Sequence, residues 1–317
     1  MKYYFIINPA AGQGGAAEMK QRIYETAKAK SIDFGIYTSK APGDALVFSK
    51  LVCERPGQKV IFACGGDGTL CEVVNGVMQA EAEKGDCGAA VGCIPCGTGN
   101  DFVRNFPEAG DFTDIGAQIS GSVKRCDLIR YEAEAPEGGT AGSGYCINMF
   151  NIGFDANVVD VTGSMKKLPL VSGPFAYILS AGAMLIRKKG ADLRVLFDDG
   201  EVFDGKLFMI AAANGCYCGG GVKGIAKAEV DDGLMDVSLV KYVSRKDFIK
   251  LFPLYKEGTH LEDERAAKLV IYKHSKSLTI EPNGGKMRLC ADGEMMTTGA
   301  VRFWICEQAL DFVLPEA

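Results

Sequence analysis

The sequence predicts an α/β domain with a parallel sheet followed by an all-β domain with antiparallel strands, and three observations lead to this fold class. Short apolar runs alternate with helical segments in the first half, strand-like runs dominate the second half, and glycine-containing polar turns follow the early strands. Alternation of strands and helices favours right-handed βαβ units and a parallel sheet covered on both faces. Strand runs joined by Gly- and Asp-rich turns favour an antiparallel sandwich or barrel.

The first half supplies the elements of the parallel sheet, since each predicted strand is a short apolar run. Ligands of such sheets bind beyond the carboxyl ends of the strands. The distinctive turns at residues 8–12, 65–69 and 97–101 are expected at that edge. The predicted order is strand 3–8, helix 16–28, strand 33–38, helix 43–53, strand 59–63, helix 69–81 and strand 89–95.

Near Lys124 the pattern changes from alternating strands and helices to mainly strand-like runs, and we place a boundary between two domains there. Beyond it, turns such as Asp198-Asp199-Gly200 separate strand-like runs, as expected for an antiparallel architecture. Residues 134–144 are small and rich in glycine, which predicts a surface loop. The predicted strands are 125–131, 145–152, 192–197, 206–213, 235–241, 268–272, 277–281 and 301–305.

The composition is that of an ordinary globular chain and excludes some classes of protein. The 317 residues suffice for two domains, and 47% hydrophobic against 24% charged residues rules out a disordered or fibrous chain. The net charge of −5 argues against a nucleic-acid-binding protein, which would carry a basic face. The 12 cysteines and a start without a signal peptide favour free thiols in a reducing compartment, so we expect a cytoplasmic location.

One apolar segment, residues 168–186, carries basic residues at both ends. Internal prolines shorten any helix within it, so a buried core helix is favoured over a membrane span. Its basic flanks, with Lys166 and Lys167 before it and residues 187–189 after it, also suit contact with an anionic membrane. We therefore expect peripheral association with the inner face of the membrane. A second apolar cluster, residues 248–255, suits either plain core or a lipid-binding face.

The strongest local signal is a polar turn that follows a buried strand at once and opens a helix. Glycines allow a tight turn whose backbone N–H groups approach phosphate oxygens, and the helix N-terminus adds positive potential. A carboxylate in such a turn repels phosphate unless a divalent cation lies between them, so Asp67 indicates Mg²⁺. A plain helix N-cap is the structural alternative for Asp67 or Thr69. The turn is Gly65-Gly66-Asp67-Gly68-Thr69.

Two further polar turns follow strands at the same edge, and three such turns together indicate a nucleotide site. A P-loop enzyme is excluded because the G-x-x-x-x-G-K-[ST] pattern is absent. The match of Gly12-x-Gly14-x-x-Ala17 to a dinucleotide fingerprint is weak, because the second strand ends without the acid that would hold a ribose. The further turns are Asn8-Pro9-Ala10-Ala11-Gly12 and Gly97-Thr98-Gly99-Asn100-Asp101.

Together these residues resemble the diacylglycerol kinase catalytic family, which includes bacterial lipid kinases and sphingosine kinases. The resemblance covers nearly the whole chain, and the turns at 65–69 and 97–101 with Asp292-Gly293-Glu294 near the C-terminus make it specific. It also includes Asn148, Gly153-Phe154, Asn214, residues 219–221 and residues 231–233. It implies a Rossmann-like, phosphofructokinase-like domain at 1–124, an antiparallel β-sandwich lipid-substrate domain at 125–306, and a tail at 307–317 that packs on the first domain.

The resemblance implies an ATP- and Mg²⁺-dependent lipid kinase, with diacylglycerol as the expected acceptor and phosphatidic acid as the product. Cys71 departs from the family pattern, which usually has Asn at that position. The implied nucleotide-binding residues are Asn8, Pro9, Ala10, Ala11, Gly12, Thr38, Gly65, Gly66, Asp67, Gly68, Thr69, Glu72, Gly97, Thr98, Asn100 and Asp101.

The resemblance also assigns carboxylates to catalysis and to a structural metal. Glu294 is the implied general base, Asp292 is the competing candidate, and Asp67 is expected near Mg²⁺ and the phosphates. The loop around residues 231–234 resembles the family's structural Mg²⁺ loop, where Asp232 offers a carboxylate and Glu229 and Leu234 offer carbonyl oxygens. An ordinary turn is the alternative for that loop.

Three other functions stay open at this point. A different lipid acceptor, such as a sphingoid base, phosphatidylglycerol or a polyprenol, would present the same hydroxyl at a bilayer surface. An NAD kinase shares the 65–69 turn but is not expected to carry the turns at 97–101 and 292–294. A non-catalytic nucleotide- or lipid-binding regulator is disfavoured by the intact Asp67, Asp292 and Glu294. A homodimer through an edge strand would suit either domain.

Overall fold

A computed structural model describes most of the chain. In the described part, no helix is both long enough and apolar enough to cross a membrane. The apolar segment 168–186 with its basic flanks, together with Gly12 and Phe154, lies outside the described residues. The described residues are 1–11, 15–136, 142–153 and 190–317.

The chain folds into two compact units. Unit 1 comprises Met1–Cys126 together with Gln308–Ala317, and unit 2 comprises Asp127–Glu307. Each unit has its own hydrophobic core, which in unit 1 includes Phe5 and Phe62. The last residues of the chain thus belong to the same unit as its first residues.

Unit 1 is an α/β unit with a parallel sheet, which confirms the fold class predicted for the first half. Its elements are β1 (Lys2–Ile7), α1 (Ala16–Ala29), β2 (Phe34–Thr38), α2 (Asp44–Cys53), β3 (Lys59–Gly65), α3 (Asp67–Lys84), β4 (Ala89–Pro95), a 3₁₀ turn (Phe102–Asn105) and α4 (Ile115–Ile119). The four strands are ordered β2-β1-β3-β4, and the central strand β3 is buried along its whole length. Such burial requires the nearly continuous apolar run that this strand carries.

The register of the sheet places the carboxyl ends of the four strands side by side. Ile7 of β1 pairs with both Thr38 of β2 and Cys64 of β3, and Cys64 pairs with Ile94 of β4. The turns that begin after these residues therefore leave the sheet at one edge. The Asn8 backbone N–H donates to the Cys64 carbonyl at 2.9 Å, which holds the first turn against the third strand.

Helices α2 and α3 approach each other closely at Gly76. A Cβ atom at this position would lie 2.0 Å from Ser49 Oγ and 2.3 Å from the Leu46 carbonyl oxygen of α2. No side chain fits in that space, so glycine is required here although it weakens the interior of a helix. The contact fixes α3, whose first turn lies at the carboxyl edge of the sheet.

Unit 2 consists mainly of antiparallel strands. Strand β5 starts in unit 1 and continues into unit 2, and β16 starts in unit 2 and ends in unit 1. The elements are β5 (Ser122–Ala133), β6 (Gly142–Cys146), β7 (Met149–Gly153), β8 (Ala191–Phe197), β9 (Val202–Leu207), β10 (Met209–Ala213), β11 (Met235–Val240), α5 (Arg245–Glu257), α6 (Glu264–Ala267), β12 (Val270–Ser275), β13 (Ser277–Pro282), β14 (Met287–Ala291), β15 (Glu294–Thr298) and β16 (Val301–Leu314).

Two antiparallel sheets of unit 2 share one core. One sheet is ordered β12-β11-β10-β7-β14-β15, and the other contains β16-β13-β8-β9. Phe150 and Leu289 from the first sheet pack with Val195 and Phe303 from the second in the same buried cluster. The predicted antiparallel sandwich is thereby confirmed.

The structure corrects several predicted strands. The predicted strand 206–213 is two strands, because the chain passes from one sheet to the other at Phe208, between β9 and β10. The predicted strand 145–152 is interrupted between Cys146 and Met149, where backbone N–H groups bind a carboxylate instead of a strand. The β14–β15 hairpin was not predicted, and the predicted strand 301–305 extends to Leu314.

Replacing Gly76 by Ala is expected to lower the free energy of unfolding by about 1–3 kcal/mol, because overpacking against α2 outweighs the gain in helix propensity. Urea-induced unfolding measures this change. Ala82→Gly, at an exposed position of the same helix, is the control and should cost about 0.5–1 kcal/mol from propensity alone. A Gly76→Ala protein more stable than the wild type would contradict the close helix contact.

Candidate active site

The turn at 65–69 is locked to the first turn of the chain through Thr69. Thr69 is buried, and its Oγ1 accepts a hydrogen bond from Asn8 Nδ2 at 3.0 Å. The Asn8 side-chain oxygen accepts from the Ala10 backbone N–H at 2.9 Å, so both ends of this amide are used. A Cβ at Gly65 would lie 2.3 Å from Thr69 Oγ1, which explains the glycine that precedes the helix.

The turns at 65–69 and 97–101 touch through their backbones. A Cβ at Gly97 would lie 2.5 Å from the Cα of Gly66, and the Cys96 N–H donates to the Gly65 carbonyl at 2.9 Å. Gly66 is itself the N-cap residue of α3, and no side-chain hydrogen bond caps this helix. The interpretation of Asp67 or Thr69 as a plain cap is therefore wrong.

Asp67 reaches out of α3 to the neighbouring turn. Its Oδ1 accepts from the backbone N–H groups of Asp101 at 2.7 Å and Phe102 at 3.3 Å. Its Oδ2 lies 2.9 Å from a Cβ placed on Gly99, and Asp101 Oδ2 lies 3.3 Å from the same point. One oxygen of each carboxylate thus lies beside Gly99, and Asp101 also forms an ion pair with Arg104, whose Nε lies 3.7 Å from Asp101 Oδ1. Arg104 supports this turn, since it donates to the Gly99 carbonyl at 3.1 Å.

The turn at 97–101 holds its shape through Asn100. Asn100 has a φ of 53°, in the left-handed region that Asn tolerates better than most residues. Its side chain accepts from the Gly97 N–H at 3.1 Å and donates to the Gly97 carbonyl at 3.0 Å. Below the turns, burial and the nearby Asp67 charge raise the pKa of the Cys93 thiol, so this thiol stays neutral.

Two predicted nucleotide-binding residues lie farther along the edge. Glu72 accepts from the backbone N–H groups of Gly43 at 2.9 Å and Ala45 at 3.1 Å, so it stabilises the start of α2. Thr38 is exposed at the carboxyl end of β2. Glu72 thus links α3, to which it belongs, to the start of α2, and the sequence did not suggest this structural role.

In unit 2, the turn at 292–294 is the tip of the β14–β15 hairpin. Ala291 pairs with Glu294, so Asp292 and Gly293 form a two-residue loop. Both loop residues have positive φ, 45° for Asp292 and 94° for Gly293, as a tight hairpin turn of Asp-Gly requires. The hairpin directs the Asp292 side chain into the protein and leaves Glu294 exposed.

Asp292 anchors the break between β6 and β7. Its Oδ1 accepts from Cys146 Sγ at 3.0 Å and from the N–H groups of Asn148 at 3.1 Å and Met149 at 3.0 Å. Its Oδ2 accepts from the Ile147 N–H at 2.8 Å. Burial raises the pKa of Asp292 above its ordinary value, although these hydrogen bonds act against that shift. With four donors around it, Asp292 is a structural anchor rather than an accessible base.

Glu294 has the opposite environment. It is exposed at the first position of β15, and its carboxylate makes no hydrogen bond or ion pair with the described residues. An accessible carboxylate without partners can take a proton from a substrate that reaches it. Of the two carboxylates in this turn, Glu294 is the one that solvent can reach.

The loop at 231–234 is connected to the Asp292 anchor by buried polar groups. Asp127 is fully buried, and its Oδ2 accepts from the Gly233 N–H at 2.7 Å. Asn214 Nδ2 donates to the carbonyls of Asp127 at 2.8 Å and Ile147 at 3.0 Å. Since Ile147 also donates to Asp292, one network runs from the 231–234 loop to the hairpin tip.

The predicted metal loop carries oxygen donors of the kind that Mg²⁺ prefers. Asp232 is exposed, and its Oδ1 accepts from the Leu234 N–H at 2.9 Å, as in an ordinary turn. Glu229 is also exposed. Across the described ranges, no group of three or more His, Cys, Asp or Glu side chains is placed to hold a metal ion. An ion here would depend on Asp232 together with carbonyl oxygens and water.

Three residues of these sites were not singled out from the sequence. Gly99 makes room for the Asp67 carboxylate, and its place within a glycine-rich turn was an available signal. Arg104 stabilises that turn from the following 3₁₀ turn, and no sequence pattern marks it. Asp127 lies between the apolar residues Cys126 and Leu128 of β5, and an acid buried there needs a hydrogen-bond partner.

Comparison with family models divides the chain into two matched regions. Residues 2–131 match a model described as diacylglycerol kinase catalytic domain. Residues 148–314 match a model described as YegS C-terminal NAD kinase beta sandwich-like domain. The two regions together cover most of the chain.

Relatives of similar length support the same family. A diacylglycerol kinase of Staphylococcus saprophyticus is 30% identical over 292 residues, which are 91% of this chain and 87% of the relative. A diacylglycerol kinase of Staphylococcus aureus strain Newman is 30% identical over 316 residues, 98% of this chain and 91% of the relative. A crystal structure of a diacylglycerol kinase from Bacillus anthracis has a TM-score of 0.69 at 21% identity and covers 99% of this chain and 96% of its own. This structural likeness supports the fold.

Truncation of the two carboxylates of the hairpin tip is expected to change the free energy of unfolding by very different amounts. Asp292→Ala leaves three buried N–H groups without an acceptor and should lower the free energy of unfolding by at least about 3 kcal/mol. Glu294→Ala, at an exposed position, should change it by no more than about 0.5 kcal/mol. Urea-induced unfolding of both variants makes the comparison. Equal losses of stability would contradict the anchoring role of Asp292.

Proposed function

The chain belongs to the diacylglycerol kinase catalytic family, and on that premise we propose that it is an ATP- and Mg²⁺-dependent kinase for a lipid hydroxyl. Diacylglycerol is the proposed acceptor and phosphatidic acid the product, since relatives that match nearly the whole chain bear the name diacylglycerol kinase. In this reaction the lipid hydroxyl oxygen bonds to the γ-phosphorus of ATP. The bond to the ADP oxygen breaks, and the hydroxyl proton is released.

The interlocked turns of unit 1 are the observation that carries this proposal. Gly97 has no room for a side chain, because its Cβ would lie 2.5 Å from the Cα of Gly66, so bare backbone faces the edge where ligands of parallel sheets bind. Helix α3 starts there without a side-chain cap and keeps its positive N-terminal potential for phosphate. The proposed ATP contacts are Asn8, Pro9, Ala10, Ala11, Thr38, Gly65, Gly66, Asp67, Gly68, Thr69, Gly97, Thr98, Asn100 and Asp101.

Glu72 was also predicted to contact the nucleotide, and we now propose an indirect role for it. Its two carboxylate oxygens accept from backbone N–H groups at the start of α2. Glu72 would therefore hold the N-terminal end of α2 in place rather than contact ATP.

Mg²⁺ would neutralise phosphate charge and align the γ-phosphate during transfer. Asp67 and Asp101 fit the role of its protein ligands, because an oxygen of each lies beside Gly99 while Asp67 Oδ1 is held by backbone N–H groups. A second, structural Mg²⁺ is proposed at Asp232, with the Glu229 and Leu234 carbonyls as further ligands. The hydrogen-bonded network through Asp127 would keep that loop in place.

Glu294 is the proposed general base for the lipid hydroxyl. Its exposed carboxylate can accept the proton as the oxygen attacks phosphorus, whereas Asp292 is surrounded by donors and holds the hairpin tip. Phosphoryl transfer depends mainly on alignment and charge neutralisation, so the base needs only to be positioned. Asp292 therefore contributes through the position of Glu294.

Phosphate transfer from labelled Mg-ATP to a panel of lipids in mixed micelles tests the proposal. The panel contains diacylglycerol, a sphingoid base, phosphatidylglycerol and a polyprenol. Wild type should phosphorylate diacylglycerol, and Glu294→Gln should reduce the turnover number by about 100-fold or more. Asp67→Asn, which keeps an oxygen for the Asp101 N–H but removes the charge, should also abolish most activity. Glu281→Gln on β13 is the matched control and should leave activity unchanged.

The possible outcomes separate the candidate functions. Phosphorylation of a different lipid would support the lipid kinase activity and identify another acceptor than diacylglycerol. Phosphorylation of NAD with no lipid product would identify an NAD kinase. Wild-type activity in Glu294→Gln would show that the base is a different group, and binding of Mg-ATP without transfer to any acceptor would favour a regulator.

A further inference from the structure

Helix α5 is rich in apolar side chains, although none of its residues is buried. In this fully described helix of 13 residues none is buried, whereas α3 buries eight of its residues. A helix of a folded domain normally hides its apolar side chains against a core. The apolar and aromatic residues of α5 are Phe248, Ile249, Leu251, Phe252, Leu254 and Tyr255.

One side of α5 attaches the helix to unit 2. Phe248 and Tyr255 pack against a small cluster that contains Phe208 and Val222. The Phe248 ring lies 5.8 Å from that of Phe208, and Phe252 stacks on Phe248 at 5.3 Å. These contacts fix the orientation of the helix.

The other side of α5 faces outward with Ile249. Ile249 is 66% exposed, more than Val47 or Leu51, the exposed apolar residues of α2. Pro253 follows one turn later and is also exposed. Because proline has no N–H, the Ile249 carbonyl lacks its usual donor within the helix and needs a polar environment. This combination suits the polar boundary of a bilayer better than its hydrocarbon interior.

The outward side is also basic. Lys246 and Lys250 are exposed within one turn of Ile249, and Arg245 and Lys256 lie near the two ends of the helix. The acids of α5 are Asp247 and Glu257, and Asp247 is engaged with the N-cap residue Ser244. The surface is thus positive in a chain whose net charge is −5, so its partner should be negatively charged.

We propose that α5 is a membrane-docking helix that lies in the headgroup region of an anionic bilayer, with Ile249 inserted and the basic residues against lipid phosphates. The inference rests on the proposed function in one respect, since a lipid kinase must meet its acceptor at a bilayer surface. Each Lys or Arg near an anionic surface strengthens binding about fivefold. Single exposed apolar residues add to this attraction through burial.

Co-sedimentation of the full chain with lipid vesicles tests this surface. One set of vesicles is phosphatidylcholine alone, and the other is an equal mixture of phosphatidylcholine and phosphatidylglycerol. Wild type should bind the mixed vesicles more tightly, and added salt should weaken that binding. Lys246→Glu with Lys250→Glu should weaken it by at least about tenfold, and Ile249→Ser by about threefold to tenfold.

Matched controls use exposed positions on other helices. Val47→Ser on α2 removes an exposed apolar residue, and Lys20→Glu with Lys28→Glu on α1 reverses two exposed charges. Both controls should bind the mixed vesicles like wild type. Equal binding to the two kinds of vesicle, or wild-type binding by the Lys246→Glu, Lys250→Glu protein, would overturn the proposal.

A second copy of the chain is the competing occupant of this surface. Loss of a dimer in Ile249→Ser, measured by analytical ultracentrifugation, with unchanged vesicle binding would assign the surface to self-association and overturn the proposal. Kinase activity on a water-soluble short-chain diacylglycerol should be unchanged in every α5 variant. If the chain shows no lipid kinase activity but its binding to vesicles still depends on α5, the membrane-docking role of α5 is supported and the proposed function is rejected.

Discussion

The backbone contact between Gly66 and Gly97 is the constraint on which the rest of the candidate nucleotide site depends. The turns can meet at this distance only because Gly97 lacks a side chain, and a Cβ at Gly66 would also be close, 3.3 Å from the Cα of Gly97. Asp67 then spans from α3 to the N–H groups of Asp101 and Phe102, and Asn8 joins the first turn to Thr69. The parallel register supplies the common edge, but this close packing converts three separate turns into one surface of backbone donors and carboxylates.

Carboxylates in similar glycine-containing turns have very different environments. Asp67 is held by backbone N–H groups beside a second acid, Asp292 is buried among four donors, and Glu294 is exposed with no partner in the described part of the chain. Asp292 and Glu294 are separated by a single glycine, yet the hairpin turn sends them to opposite environments. The buried Asp costs free energy to ionise, and its hydrogen bonds offset part of that cost.

Among its described residues, unit 2 combines a well-packed interior with a helix, α5, that has no buried residue. Its sandwich core is continuous between two sheets, and a buried polar network joins the 231–234 loop to the hairpin tip. Helix α5 lies outside that core, and Phe248 and Tyr255 pack against a small satellite cluster. The same unit would thus hold the proposed base rigidly through hydrogen bonds and present an apolar, basic surface to its surroundings.

The sequence by itself determined the fold class, the parallel order of strands and turns in the first half, and the family, because these depend on local periodicity and on turns such as Gly65–Thr69. It also predicted an antiparallel second half but missed the β14–β15 hairpin, although Asp292-Gly293 is a strong hairpin signal. Only the tertiary structure showed that Asp292 is buried while Glu294 is exposed, that Glu72 accepts hydrogen bonds from the start of α2, and that Asp127 and Arg104 support the turns. Those outcomes depend on which distant backbone donors surround each side chain, and no local pattern in the chain encodes that.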